Sequence, residues 1–243
     1  MFKYLCLAAL LHAGFAAANT VAYDAGTPYV VTPAMEDYTT TGPLMASMQI
    51  TVVQGGVSSL HTWGVLQDDF GGYNRGGVIT DSFAVWADGD TWCFSGCAMW
   101  RVWQFGPQPI NQVTFHGASA GVVFDLTTQP TSNFGTPGSA KGYTFQVAQS
   151  FLSSLVVNAV YRNEVSVGAA PVVGDLYTTL EVNFAGNGLF SYMQFGADTD
   201  LIPPGAAISP AVPEPASLAL MAAGMALIGL RRRLRHINPG ENA

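Results

Sequence analysis

Between Asn19 and Leu201 the chain is a series of short β-branched or aromatic runs, each closed by residues that interrupt regular structure. Met45–Val53 alternates weakly through Met48, Ile50 and Val52, and Ser82–Trp86 alternates through Phe83 and Val85. Gln112–Phe115, Gly121–Leu126, Tyr143–Val147 and Thr178–Phe184 are runs of the same kind. Between them stand turn signals: Gln54-Gly55-Gly56, Asp88-Gly89-Asp90, Gly135-Thr136-Pro137-Gly138 and Asn187-Gly188. Runs this short, punctuated this often, suit strands joined by tight turns. Only Val147–Val157 has a helix-like spacing, and it reads equally well as a strand. No internal repeat is present. The pattern predicts an all-β body, an antiparallel β-sandwich of jelly-roll-like form.

Composition excludes two classes. Apolar residues make up 49% and aromatics 12% of the 243 residues, so the chain has enough to bury and is not a disordered one. In the stretch from Asn19 to Ala211 only Arg75, Arg101, Lys141 and Arg162 face fourteen Asp and Glu, a balance of about −10. Phosphate binding needs clustered Lys and Arg, so this body does not bind nucleic acid.

The two ends differ from the body. Lys3, an apolar run from Tyr4 to Phe15 and then Ala16-Ala17-Ala18 are the parts of a secretory signal peptide, residues 1–18, cut by signal peptidase after Ala18. Near the other end, Val212-Pro213-Glu214-Pro215 precedes a charge-free apolar run, Ala216–Leu230, which Arg231, Arg232 and Arg233 follow. Fifteen helical residues cover about 22 Å of the roughly 30 Å hydrocarbon core, and snorkelling arginines make up the difference. Positive charge beyond the run keeps that end cytoplasmic. The expected chain is therefore a signal peptide, an ectodomain over 19–201, a Pro/Ala-rich linker over 202–212, a sorting signal over 213–235 and a cytoplasmic tail over 236–243. Its single transmembrane helix spans 216–230.

Pro213-Glu214-Pro215, the apolar run and the arginine cluster, in that order, closely resemble the PEP-CTERM sorting signal of Gram-negative bacteria. The resemblance covers about 22 residues. It implies processing by exosortase, a membrane-embedded, cysteine-protease-like transpeptidase of bacteria that make extracellular polysaccharide. The extension Leu234–Ala243 departs from the pattern, since such chains usually stop soon after the arginines. In the body, Gly135–Ala140 (GTPGSA), Gly174–Tyr177 (GDLY) and Ala197–Asp200 (ADTD) resemble strings found in this order in uncharacterised β-rich ectodomains that carry the same tail. That second resemblance implies an architecture and no chemistry.

Four constellations bear on chemistry. Cys93 and Cys97 are the cysteines left after Cys6 departs with the signal peptide, and in an oxidising compartment they predict a disulfide. Gly117-Ala118-Ser119-Ala120-Gly121 fits the G-x-S-x-G elbow, yet a strand-like run follows it and the only later histidine is His236, in the tail. The motif reads as a small-residue turn. Asp198 and Asp200 head the acidic pairs that could clamp Ca²⁺, a cation that takes six to eight oxygens, against the ordinary preference of Asp for turns. Finally, Trp63, Trp86, Trp92, Trp100 and Trp103 cluster in 41 residues. Large aromatics are usually core, but Trp92, Trp100 and Trp103 beside the cysteines could form an exposed platform for carbohydrate.

The expectation is a non-enzymatic protein of the extracellular polysaccharide layer, without a required cofactor. It is exported through the inner membrane, anchored there by the C-terminal helix, and then surface-bound or released. Alternatives are a carbohydrate-binding module using the tryptophan-rich face, and an enzyme acting on polysaccharide.

Overall fold

The computed structural model describes residues 18–32, 40–67, 74–89, 91, 100–126, 142–150, 155–168, 174–203 and 206–211. The chain divides into two units, Met1–Pro210 and Ala211–Ala243, and every described strand belongs to the first. The sorting motif with its apolar run and arginines, residues 1–17 of the expected signal peptide 1–18, and Trp92, Cys93 and Cys97 all lie outside the described residues, while Ala18, the last residue of that expected peptide, opens a strand.

The body is all-β. Its strands are β1 Ala18–Asp24, β2 Tyr29–Thr32, β3 Gln49–Gln54, β4 Val57–Thr62, β5 Gly64–Leu66 and β6 Arg75–Ile79. They continue with β7 Phe83–Asp88, β8 Trp100–Gln104, β9 Ile110–His116, β10 Val122–Asp125 and β11 Gln146–Ser150. The last five are β12 Val156–Val167, β13 Leu176–Phe184, β14 Tyr192–Gly196, β15 Asp198–Leu201 and β16 Ala207–Pro210. The ambiguous stretch Val147–Val157 is thus strand at both ends, and its β-branched content decides for the pleat.

Two sheets form. The first has ten strands in two tiers sharing the long strands β12 and β13. One tier runs β1-β12-β13-β9-β3-β4, the other β16-β2-β12-β13-β10-β15. β9 and β10 lie along the same edge of β13 and are separated by a 3₁₀ turn, Gly117–Ala120. The second sheet is antiparallel, in the order β11-β14-β8-β7-β6-β5.

The expected antiparallel sandwich needs one correction. β1 and β2 both pair parallel with β12, so the first sheet is a curled, mixed half-barrel. Parallel neighbours cannot be joined by a tight hairpin and require a long connection. Here the connection is most of the body, since Ala18 sits beside Val156.

The facing sides of the two sheets supply the main core. Met48, Ile50, Val52, Val113, Phe115, Leu180 and Val182 come from or beside the first sheet, and Val85, Trp100, Val102 and Phe195 from the second. Trp100 is its centre: its ring stacks on Phe195 at 5.9 Å and meets Phe115 edge-on at 4.9 Å. Its indole N–H donates to the Ala197 carbonyl at 2.8 Å, and that of Trp63 donates to the Gly42 carbonyl at 2.9 Å, so neither polar atom is buried unpaired. The backbone is drawn tight at that point. A Cβ on Gly76 would lie 1.9 Å from the Gly42 carbonyl oxygen, which leaves room only for glycine. A smaller cluster of Val31, Val123, Val165, Val167, Leu176 and Ile202 packs within the second tier.

Candidate functional site

Two places in the body gather chemistry. The first is where β10 meets β15. Their antiparallel register sets Asp125 opposite Asp198 and Val123 opposite Asp200. Alternation then puts Asp198 and Asp200 on one face and turns Thr199 to the other. Thr199 is held there, its hydroxyl 2.9 Å from that of Thr91. One carboxylate oxygen from each of Asp125, Asp198 and Asp200 lies within 4.8 Å of the other two, and all three residues are buried. Gly142 closes over the group so tightly that a Cβ would stand 2.3 Å from Asp125 Oδ1. Each of the three residues has an interaction partner. Like charges about 4 Å apart repel by roughly 4 kcal/mol at an effective dielectric of 20, so such a trio needs a proton, a donor or a cation among them. Among the described residues, three carboxylate oxygens are about half of what Ca²⁺ takes.

The sequence pointed to Asp198 and Asp200, and the structure adds Asp125. No local signal marks Asp125, because strand pairing across more than seventy residues brings it in.

The second place is the outward face of the second sheet. In β8, Trp100, Val102 and Gln104 turn inward while Arg101 and Trp103 turn outward. Register then lays out three rows across the strands. One row is Ile79–Ala84–Trp103–Tyr192. The next is Gly77–Trp86–Arg101–Gln194, and the last is Leu66–Arg75–Asp88.

Polar groups fix this face. Asp88 binds both Arg75 and Arg101 and accepts from the Trp86 indole at 3.3 Å. Both guanidinium carbons lie 5.8 Å from the Trp86 ring centroid, within cation–π range. The Tyr192 hydroxyl donates to Gln194 Oε1 at 3.2 Å. Partial burial raises the Tyr192 phenol above its ordinary pKa, while Arg101 beside it pulls the other way. Trp103 is half exposed, and Phe105 abuts it edge-on at 6.1 Å.

The tryptophan platform expected from sequence is therefore redrawn. Trp100 is fully buried and belongs to the core, Trp103 is exposed, and Trp92 is outside the described residues. Trp100 and Trp103 are three residues apart on one strand, so they necessarily face opposite ways. Arg101 shares the face of Trp103 through alternation along β8, and Tyr192 and Gln194 join them through cross-strand register.

The G-x-S-x-G pentapeptide has no nucleophile geometry. Gly117–Ala120 is a 3₁₀ turn leading into a strand. The Ser119 hydroxyl has the carbonyls of Ser47 and His116 within reach of its one proton, at 3.1 and 3.0 Å, and accepts from the Gln49 N–H. His116 Nε2 is 3.0 Å from Thr51 Oγ1, and burial lowers its pKa. The serine ties a turn to β3.

Comparison with known sequences settles the tail. Residues 211–233 match the PEP-CTERM protein-sorting motif. The PEP-CTERM motif implies an exported protein sorted to the cell surface and processed by exosortase. No curated protein and no solved structure matches the chain. Among the described residues no helix is long and apolar enough to cross a membrane. The run Ala216–Leu230 falls inside the PEP-CTERM match and outside those residues.

Proposed function

We propose that the body is a non-catalytic ectodomain that exosortase delivers to the extracellular polysaccharide matrix, where it acts by binding or scaffolding. The observation that carries this reading is the PEP-CTERM match at 211–233, since it sets the destination of whatever precedes it. The body's own chemistry supports it. Ser119, the one residue in a nucleophile-like motif, spends its hydroxyl on backbone groups that hold β3 to the Gly117–Ala120 turn. Surface charge also suits the matrix, for an acidic body with few basic residues stays soluble and avoids nucleic acid. In a matrix-forming host the mature protein should co-fractionate with extracellular polysaccharide and be released when that polysaccharide is digested. Recovery solely in the membrane fraction contradicts the reading.

A second reading is favoured by the carboxylate trio. In this reading Asp125, Asp198 and Asp200 would supply three of the six to eight oxygens that Ca²⁺ takes as a structural ion. A ligand at one hundred times its Kd stabilises the folded state by about 2.7 kcal/mol. For a domain of this size that is a Tm rise of roughly 5–11 °C. Chelation should therefore lower Tm, excess Ca²⁺ should restore it, and the Asp198→Asn/Asp200→Asn double variant should abolish the response. A Tm indifferent to chelation removes calcium from the site.

A further inference from the structure

We propose that the outward face of the second sheet binds a neutral polysaccharide built of equatorially substituted pyranoses. Trp103 and Tyr192 serve as stacking platforms, and Arg101 and Gln194 as the hydrogen-bonding groups beside them. The inference rests on the matrix reading above and gives it a ligand.

The chemistry of the first two of these rows matches the two kinds of surface that such a sugar presents. An equatorially substituted pyranose is apolar on its C–H faces and polar around its rim. Aromatic rings offer a negative face to C–H groups. Trp103 and Tyr192 are direct cross-strand partners, so their Cβ atoms stand about 5 Å apart on one face of the sheet. One pleat along, Arg101 and Gln194 are likewise direct partners and present planar donors and acceptors to hydroxyls. These groups are already held in place. Phe105 braces Trp103, Asp88 and Trp86 hold Arg101, and the Tyr192 hydroxyl holds Gln194. Side chains fixed before binding lose little entropy when a ligand arrives.

Size argues against a protein partner. Five strands about 4.8 Å apart and three rows about 6.7 Å apart enclose roughly 260 Å². A stable protein interface buries about 800 Å² on each side, about three times as much. A few sugar rings fit that area.

Charge selects a neutral chain. Arg75 and Arg101 are half of the basic residues between the signal peptide and the tail, but they share Asp88, so among the described residues the three rows carry a single net positive charge. The whole body carries about −10 and repels a polyuronate. Short-range stacking is indifferent to that field, and a neutral chain is not repelled.

The test is native affinity electrophoresis of the exported protein in gels containing hydroxyethylcellulose, a neutral β-glucan, or polygalacturonate. Hydroxyethylcellulose should retard the wild type and polygalacturonate should not. Trp103→Ala should weaken retardation about tenfold or more, and Tyr192→Ala several-fold. Leu60→Ala, an exposed aliphatic on the other sheet, should run as wild type. An unchanged Tm in Trp103→Ala shows that its loss of binding is not loss of fold. The proposal is overturned if hydroxyethylcellulose does not retard the wild type, or if Trp103→Ala is retarded equally. Equal retardation by polygalacturonate overturns the neutral assignment, and self-association abolished by Trp103→Ala gives the face to a second copy. Each of these results is independent of where the protein fractionates in the host, so the ligand and the destination fail separately.

Discussion

Trp100→Ala should come close to unfolding the ectodomain at physiological temperature. Trp100 is fully buried between the two sheets, in ring contact with Phe115, Phe124 and Phe195. Truncating a buried tryptophan costs about 3–5 kcal/mol, from lost transfer energy and from the cavity left behind. The change also strands the Ala197 carbonyl that accepts the indole N–H. Domains have only about 5–15 kcal/mol to lose, so this one substitution can consume most of it. Thermal unfolding should show a Tm drop of roughly 6–20 °C. Trp103→Ala, three residues along on the opposite face of the same strand, should move Tm little. If the two variants melt alike, the assignment of inward and outward faces in β8 is wrong.

That pair of residues also shows what could be read from sequence and what could not. The runs at Ser82–Trp86, Gln112–Phe115 and Thr178–Phe184 were legible because β-branched and aromatic residues sat between turn signals, and β7, β9 and β13 cover all of them but Ser82. In β8, Trp-Arg-Val-Trp-Gln is apolar at both parities, so its inward face had no polarity signal to mark it. Strand geometry alone still separates Trp100 from Trp103, and recognising the strand would have split the supposed platform. β1 and β2 escaped because each is completed by β12, more than a hundred residues later. The acidic trio escaped in part for the same reason. Asp198 and Asp200 are neighbours in sequence, whereas Asp125 joins them only through β10–β15 pairing. The outward rows of the second sheet are wholly a product of register, with Tyr192 and Gln194 lying about ninety residues from their partners Trp103 and Arg101. By contrast the tail is a contiguous signal, read from its order of residues, and needed no fold to be seen.

Replacing Arg231, Arg232 and Arg233 with neutral residues should mislocalise the protein almost completely. The PEP-CTERM match includes these arginines. Cationic side chains beyond an apolar run resist transfer through the membrane and keep that end cytoplasmic. Without them a run as short as Ala216–Leu230 has little to hold it, and the chain should pass into the periplasm uncut. Glu214→Ala should act differently, sparing insertion and impairing cleavage. Fractionation followed by immunoblotting separates the two outcomes, since one yields soluble full-length protein and the other membrane-bound precursor. The glutamate is flanked by Pro213 and Pro215.

The most direct measurement is the mass of the mature protein's C-terminal peptide in two hosts that differ only in exosortase. With the enzyme present, peptides beyond Pro215 should be missing from the surface or released product. Without it, the chain should accumulate at the membrane with Ala216–Leu230 still attached. Retention of the C-terminal peptide to the same extent in both hosts would show that the tail is only an anchor, and the ectodomain would then have no exosortase-dependent route to the matrix.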